Sequence, residues 1–242
     1  MKIFIAGTYI KQFALENALP KYLLESFFYI TDWQIKILPQ LDMFLLDSGA
    51  FTFMSSVKNC DFEEYLTQYI HFINKHDIKY FFELDIDSIV GYEKVKEYRK
   101  RLERETGKNC IPVWHKSRGK EEFLRLCDKY DYVAIGGIVT KEITNKEYPY
   151  FTWFINEAHK RGAKIHGLGF TQTSLLDKYH FDSVDSTSWI SGGKYGHIYY
   201  IENGVVKHKE PPKGKRAMNY RVVDCYNLSV WLKYQKYAEQ YL

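Results

Sequence analysis

What most constrains the fold of this chain is the order of its apolar runs. Strand-like segments recur at Ile3-Phe4-Ile5, Met43 to Leu46, Tyr80-Phe81-Phe82-Glu83-Leu84, Ile111-Pro112-Val113-Trp114, Tyr132-Val133-Ala134-Ile135, Lys164-Ile165-His166-Gly167 and Phe181 to Val184, with Ile198 to Ile201 as a possible eighth. Continuous apolar runs of this length suit strands buried on both faces of a parallel sheet. Helical patterns lie between them. Asp61 reads as a helix cap with Glu64 three residues on, and Phe62, Tyr65, Leu66, Tyr69, Ile70 and Ile73 then recur at helical spacing. Further helices are expected over 92–106, 120–129 and 149–161. Seven or eight such units in 242 residues argue for a single α/β domain over 1–242, a compact TIM-like (β/α)8 barrel rather than an open sheet.

The end of the chain departs from that rhythm. Asn203-Gly204, between Ile198 to Ile201 and Val205-Val206, is a hairpin signal. A last helix over about 221–240, with Val222, Val223, Tyr226, Val230, Trp231 and Tyr234 as its apolar face, is expected to close the domain.

Composition narrows the classes. Cys60, Cys110, Cys127 and Cys225 are scattered, without a Cys-x-x-Cys or Cys/His cluster, which argues against a disulfide framework and a structural zinc site. A reducing, cytoplasmic setting is the corresponding expectation. The apolar stretch that follows Met1 is too short for a signal peptide or a membrane span. The net charge of +4 is only mildly basic, but its distribution is uneven. Between Lys207 and Arg221 stand Lys207, His208, Lys209, Lys213, Lys215, Arg216 and Arg221 against the single Glu210, with Pro211-Pro212 and Gly214 opposing helix. A second basic group, Lys96, Arg99, Lys100, Arg101 and Arg104, is interleaved with acidic residues and reads as a solvated helix face. The 21 Tyr and 16 Phe supply core and, at some positions, platforms on which bases can stack.

Polar residues and glycines follow strand after strand: Asp47-Ser48-Gly49, then Asp85 and Asp87, then His115, then Gly136-Gly137, then Gly167-Leu168-Gly169, and finally Asp182 or Asp185. In a parallel α/β enzyme that rim is where the active site is built. Paired carboxylates there are the minimal equipment for glycosidic chemistry, one as nucleophile and one as acid/base.

At these residues the chain resembles the guanine transglycosylases, barrel enzymes that exchange guanine in a polynucleotide for a 7-deazaguanine. Asp47-Ser48-Gly49-Ala50-Phe51 is similar to the family's Asp-Ser-Gly-Gly-Phe-Gln, Leu84-Asp85-Ile86 to the segment carrying its guanine-recognising aspartate, Ile135-Gly136-Gly137-Ile138 to its Ile-Gly-Gly-Leu, and Phe181-Asp182-Ser183 to the nucleophile segment. The resemblance covers most of residues 40–190. There are departures: only Cys225 lies where the tRNA enzymes carry a cysteine-rich zinc site, His115 stands where a glutamine is expected, and Ala50 replaces the second signature glycine. The short chain without a zinc subdomain resembles the DpdA-like branch of phages and bacterial islands, which inserts 7-deazaguanines of the preQ0 type into DNA.

The resemblance implies that Asp182 attacks C1′ of a flipped-out guanosine, that Asp47 is the general acid/base, and that Asp85 reads the guanine edge, with Ser48, His115, Gly136, Gly137 and Gly169 around the base. Asp185 is the rival nucleophile; the Phe-Asp-Ser match favours Asp182. The implied partners are DNA, with tRNA as the alternative, and a free 7-deazaguanine base; Lys213, Lys215 and Arg216 are expected on the phosphate backbone, and no metal or cofactor is expected. Two other classes remain open. A metal-dependent barrel hydrolase would use His115, His166 and Asp182, although Ile5-Ala6-Gly7-Thr8 lacks the His-x-His common at that strand end. The other is a non-catalytic nucleic-acid-binding subunit.

Overall fold

The computed structural model describes residues 1–16, 18–49, 52, 61–211 and 219–242. Its strands are β1 (Lys2–Ala6), β2 (Tyr22–Ser26), β3 (Met43–Asp47), β4 (Val113–Trp114), β5 (Tyr132–Ile135), β6 (Lys164–Gly167), β7 (Ser183–Ser186), β8 (Ile198–Glu202) and β9 (Val205–Lys209). Its helices are α1 (Gln12–Leu15), α2 (Asp32–Ile37), α3 (Phe62–Lys75), α4 (Asp87–Val90), α5 (Tyr92–Thr106), α6 (Gly119–Lys129), α7 (Phe151–Lys160), α8 (Ser188–Tyr195) and α9 (Tyr220–Tyr241). None among the described residues is long and apolar enough to cross a membrane.

Seven strands form one parallel sheet, in the spatial order β3-β2-β1-β7-β6-β5-β4, curled into a half-barrel. Side chains alternate across it, as the two-residue period of a strand requires. Phe4, Ala6, Tyr22, Leu24, Leu45, Val113 and Ala134 pack together inside the curl. Ile3, Ile5, Leu23, Val133, Ile135, Ile165 and Val184 point the other way, into the layer that includes α6, α7 and α9. Phe4 is wholly buried, and truncating such a residue to Ala costs about 3–5 kcal/mol.

Two strand expectations are corrected, and one strand is added. The segment Tyr80 to Leu84 is not a regular strand: it contributes isolated parallel bridges, Leu46 with Phe81 and Phe82 with Ile111. Ile198 to Ile201 does not join the sheet either. It forms β8, pairs antiparallel with β9, and turns at Asn203 and Gly204, both with positive φ (51° and 73°), the conformation a two-residue hairpin loop demands. The strand that does join, β2, was not anticipated, because Glu25 interrupts its apolar run after Leu24.

The helices follow expectation more closely. Asp61 caps α3, accepting from Glu63 N (3.0 Å) and Glu64 N (3.1 Å), and Leu66, Tyr69, Ile70 and Ile73 form its buried face. Two details differ. Arg99, read as solvated, is buried against Glu83 (3.5 Å). On α9, Val222 and Tyr226 are exposed, whereas Asp224, Asn227 and Gln235 are buried. Gln235 shows why polar residues belong there: its Nε2 donates to Ile3 O (2.6 Å) and Tyr22 O (3.1 Å), and its Oε1 accepts from Lys21 N (2.8 Å). Buried main-chain carbonyls and N–H groups call for such partners.

Candidate active site

A cavity of about 440 Å³ opens at the carboxyl ends of the strands, and its wall includes Glu25, Asp47, Asp85, His115, Gly136, Gly137, Gly169 and Asp185. A larger one, about 750 Å³, lies between α2 and α3 among Ile35, Phe72, Lys75 and their neighbours, away from this group of carboxylates. Size alone therefore does not locate the chemistry; the convergence of titratable groups does.

Asp47 ends β3. Its Oδ2 accepts from Gly49 N (2.9 Å), a tight turn for which Gly49 adopts φ 84°. Burial opposes its charge, and the neighbouring carboxylates of Asp85, Asp185 and Glu25 add to that, outweighing the Gly49 hydrogen bond, so its pKa is pushed up to about 7. Ser48 is buried behind it, and its Oγ lacks a hydrogen-bond partner among the described residues; it is not part of the cavity wall.

Asp85 faces His115, with Oδ1 at 2.7 Å from Nε2. The other ring nitrogen, Nδ1, lies 2.8 Å from Glu142 Oε2. Burial alone would lower the histidine's pKa, but hydrogen bonds to Asp85 and Glu142 prevail and raise it to about 9. His115 is thus held as an imidazolium donating from both nitrogens. Beneath it Arg118, almost entirely buried, reaches Glu83 (2.8 Å), Asp87 (2.9 Å) and Asp85 (3.6 Å) and lies over the Tyr92 ring (4.2 Å).

The glycines have a steric reason to be here. A Cβ on Gly136 would stand 2.8 Å from the His115 ring, and one on Gly137, whose φ is 82°, would stand 2.8 Å from Glu142 Oε2. Gly169 donates its N–H to Asp185 Oδ1 (2.6 Å). The same oxygen lies 3.3 Å from His166 Nε2. His166 is fully buried inside the curl, its Nδ1 2.6 Å from Ser183 Oγ, which in turn is bonded to Tyr132 OH.

Asp182 lies at the other end of β7. It precedes the strand, which starts at Ser183, and borders a separate cavity with Lys2, Lys164 and His180. Its Oδ2 accepts from Ile165 N (2.8 Å) and pairs with His159 Nε2 (2.9 Å). At about 3.3 Å per strand residue, three positions separate it from Asp185 by roughly 10 Å. Asp182 is therefore not brought together with Asp47 and Asp85; Asp185 is. Lys213, Lys215 and Arg216 lie outside the described residues, as do Ala50, Phe51 and Cys60.

The histidine and aspartate ligands of the hydrolase reading are likewise not assembled, since Asp182 is remote from His115. Ligand atoms of Asp85, Asp87 and His115 do come within 4.8 Å of one another, but the Arg118 guanidinium already contacts both carboxylates, which opposes a second cation there.

Several wall residues had no place in the sequence reading. Glu25, 2% exposed, accepts from Thr8 N and Oγ1 (both 2.8 Å) and from Gln34 Nε2 (2.5 Å), and burial still raises its pKa. Tyr9 and Tyr29 stack at the wall with centroids 4.3 Å apart. A carboxylate directly after Leu23-Leu24 repeats the pattern that singled out Asp47 after Leu45-Leu46, and could have flagged Glu25. No family model matches the sequence, and no curated protein matches it either.

Proposed function

We propose that this chain is a (β/α)8-type transglycosylase that exchanges guanine in DNA for a 7-deazaguanine. The observation that carries the reading is the convergence of Asp47, Asp85 and Asp185 on one cavity at the carboxyl ends of the strands. The bridges of Phe81 and Phe82 to Leu46 and Ile111 support taking the segment around them as the eighth member of the ring.

In this reading Asp185 replaces Asp182 as nucleophile. Its carboxylate attacks C1′ of a flipped-out guanosine, the bond from C1′ to N9 breaks, and a glycosyl ester forms. Asp47, titrating near neutrality, delivers a proton to the departing guanine and takes one from the incoming base, the match of pKa to working pH that general acid/base catalysis favours. The incoming base then displaces Asp185, and two inversions retain the configuration. Asp85, oriented by His115 and Arg118, accepts from N1–H and N2–H of guanine. Tyr9 and Tyr29 offer a face for stacking.

The test is incubation with DNA and, separately, tRNA carrying labelled guanine, with 7-deazaguanines added and base release followed. Exchange into DNA is expected. Release from tRNA alone would move the assignment to the tRNA reaction, and release from neither would end it.

A further inference from the structure

The β8–β9 hairpin carries a group of side chains that the cavity does not use. Its register pairs Tyr199 with His208 and Ile198 with Lys209, so His197 and Glu210 are the next facing positions at its open end. Strand alternation puts His208 and Glu210, two residues apart, on one face. Cross-strand pairing brings His197 to the same face. The contacts agree: His197 Nδ1 lies 2.9 Å from Glu210 Oε2, and His208 Nε2 3.3 Å from Glu210 Oε1. The two imidazole rings are 4.8 Å apart, and one ligand atom from each residue falls within 4.8 Å of the other two.

Two further features suit a preformed site. The His197 Nδ1 is shut off from solvent and, despite its closeness to Glu210, makes no aligned hydrogen bond among the described residues. The backbone around it is held by Asn227, which donates to His197 O (3.1 Å) and accepts from Tyr199 N (2.9 Å).

We propose that His197, His208 and Glu210 bind a divalent metal ion of the zinc type. Two imidazoles and one carboxylate are borderline donors, suited to Zn²⁺, Ni²⁺ or Cu²⁺ rather than to Ca²⁺ or Mg²⁺, which prefer all-oxygen shells. Ligand bonds of about 2.1 Å in a tetrahedral shell put donor atoms roughly 3.4 Å apart, within small side-chain rotations of the spacing found here. The fourth position remains for water. An ion so bound cross-links the open end of the hairpin, tying His197, two residues past α8, to His208 and to Glu210, the residue before Pro211.

Calorimetric titration of the chelator-treated full chain with ZnCl₂ tests this. One equivalent should bind with micromolar or tighter affinity, and His208→Gln and Glu210→Gln should each weaken it by roughly tenfold or more. Both side chains are at least half exposed, so these variants should fold; unchanged far-UV circular dichroism checks that. Hydrogen exchange of the β8 and β9 amides should slow on zinc addition in the parent chain and not in the variants. No binding up to millimolar zinc, or binding unaltered in both variants, overturns the proposal.

Discussion

The two ends of the curled sheet are built from the same residue types and treat charge in opposite ways. At the amino ends each acid is matched by its own donors: Asp182 takes Ile165 N and sits against His159, and Glu239 takes Lys21 and the Tyr22 hydroxyl. At the carboxyl ends Asp47, Asp85, Asp185 and Glu25 crowd together, and Asp47 is pushed up to about 7. Crowded like charges cost stability, and such sites recur where chemistry requires shifted pKa values. Two aspartates three residues apart, Asp182 just before β7 and Asp185 within it, thus have different surroundings: Asp185 faces the crowded end, Asp182 the matched one.

The largest expected effect comes from the crowded end. Asp185→Asn should reduce base exchange by on the order of 10⁴-fold or more, as loss of a covalent nucleophile does, with circular dichroism unchanged. Near-normal activity in a radiolabelled exchange assay would remove the distinction between the two ends.

Asp47→Asn should lower turnover by about 10²- to 10⁴-fold and remove the ionisation near pH 7 from the rate profile. It also has a stability signature. Folded Asp47 titrates near 7 against an ordinary 3.8, so between those values the native state binds more protons than the unfolded chain, and stability falls as pH rises through that window. The variant escapes this loss: its Tm should exceed that of the parent at pH 8 and converge with it near pH 4.

Third, Asp85→Ala should reduce discrimination of guanine over adenine by about 10²-fold or more in kcat/KM, because unpaired donors on the base edge are what the site selects. Competition between labelled substrates measures it.

The smallest effect belongs to the matched end. Asp182→Ala removes the acceptor for Ile165 N, worth about 1 kcal/mol for a partly exposed hydrogen bond, and should lower Tm by roughly 2–4 °C while leaving exchange nearly intact. A collapse of activity with an unmoved Tm would invert the comparison.

How much of this could be read in advance follows from what lines each strand. β5 and β6 were legible to the residue; in β5 the reason is plain, since Val133, Ala134 and Ile135 are buried and accordingly apolar. β7 was read two residues early. Phe181 looked like its start, yet Phe181 packs against Phe151 and Phe170 ahead of the strand, whereas Ser183 and Asp185 turn inward to His166. A strand whose inner face is polar gives no apolar signal; the Phe-Asp-Ser resemblance favours Asp182, whereas the register of β7 carries Asp185 to the rim. β2 was hidden by Glu25 for the same reason, since its partners Thr8 and Gln34 come from other segments. The aspartates and glycines of the rim were legible because they recur at successive strand ends; the buried Arg118 was not, because its three carboxylates become visible only once the chain is folded.

The contacts of Gln235 bear on how the chain can be made. Its partner Ile3 is synthesised 232 residues earlier, and at about 5–20 residues per second a ribosome takes roughly 10 to 50 s to supply the missing side chain. Until then the carbonyls of Ile3 and Tyr22 lack this donor, so the joint between the first two strands and the last helix is made late in synthesis.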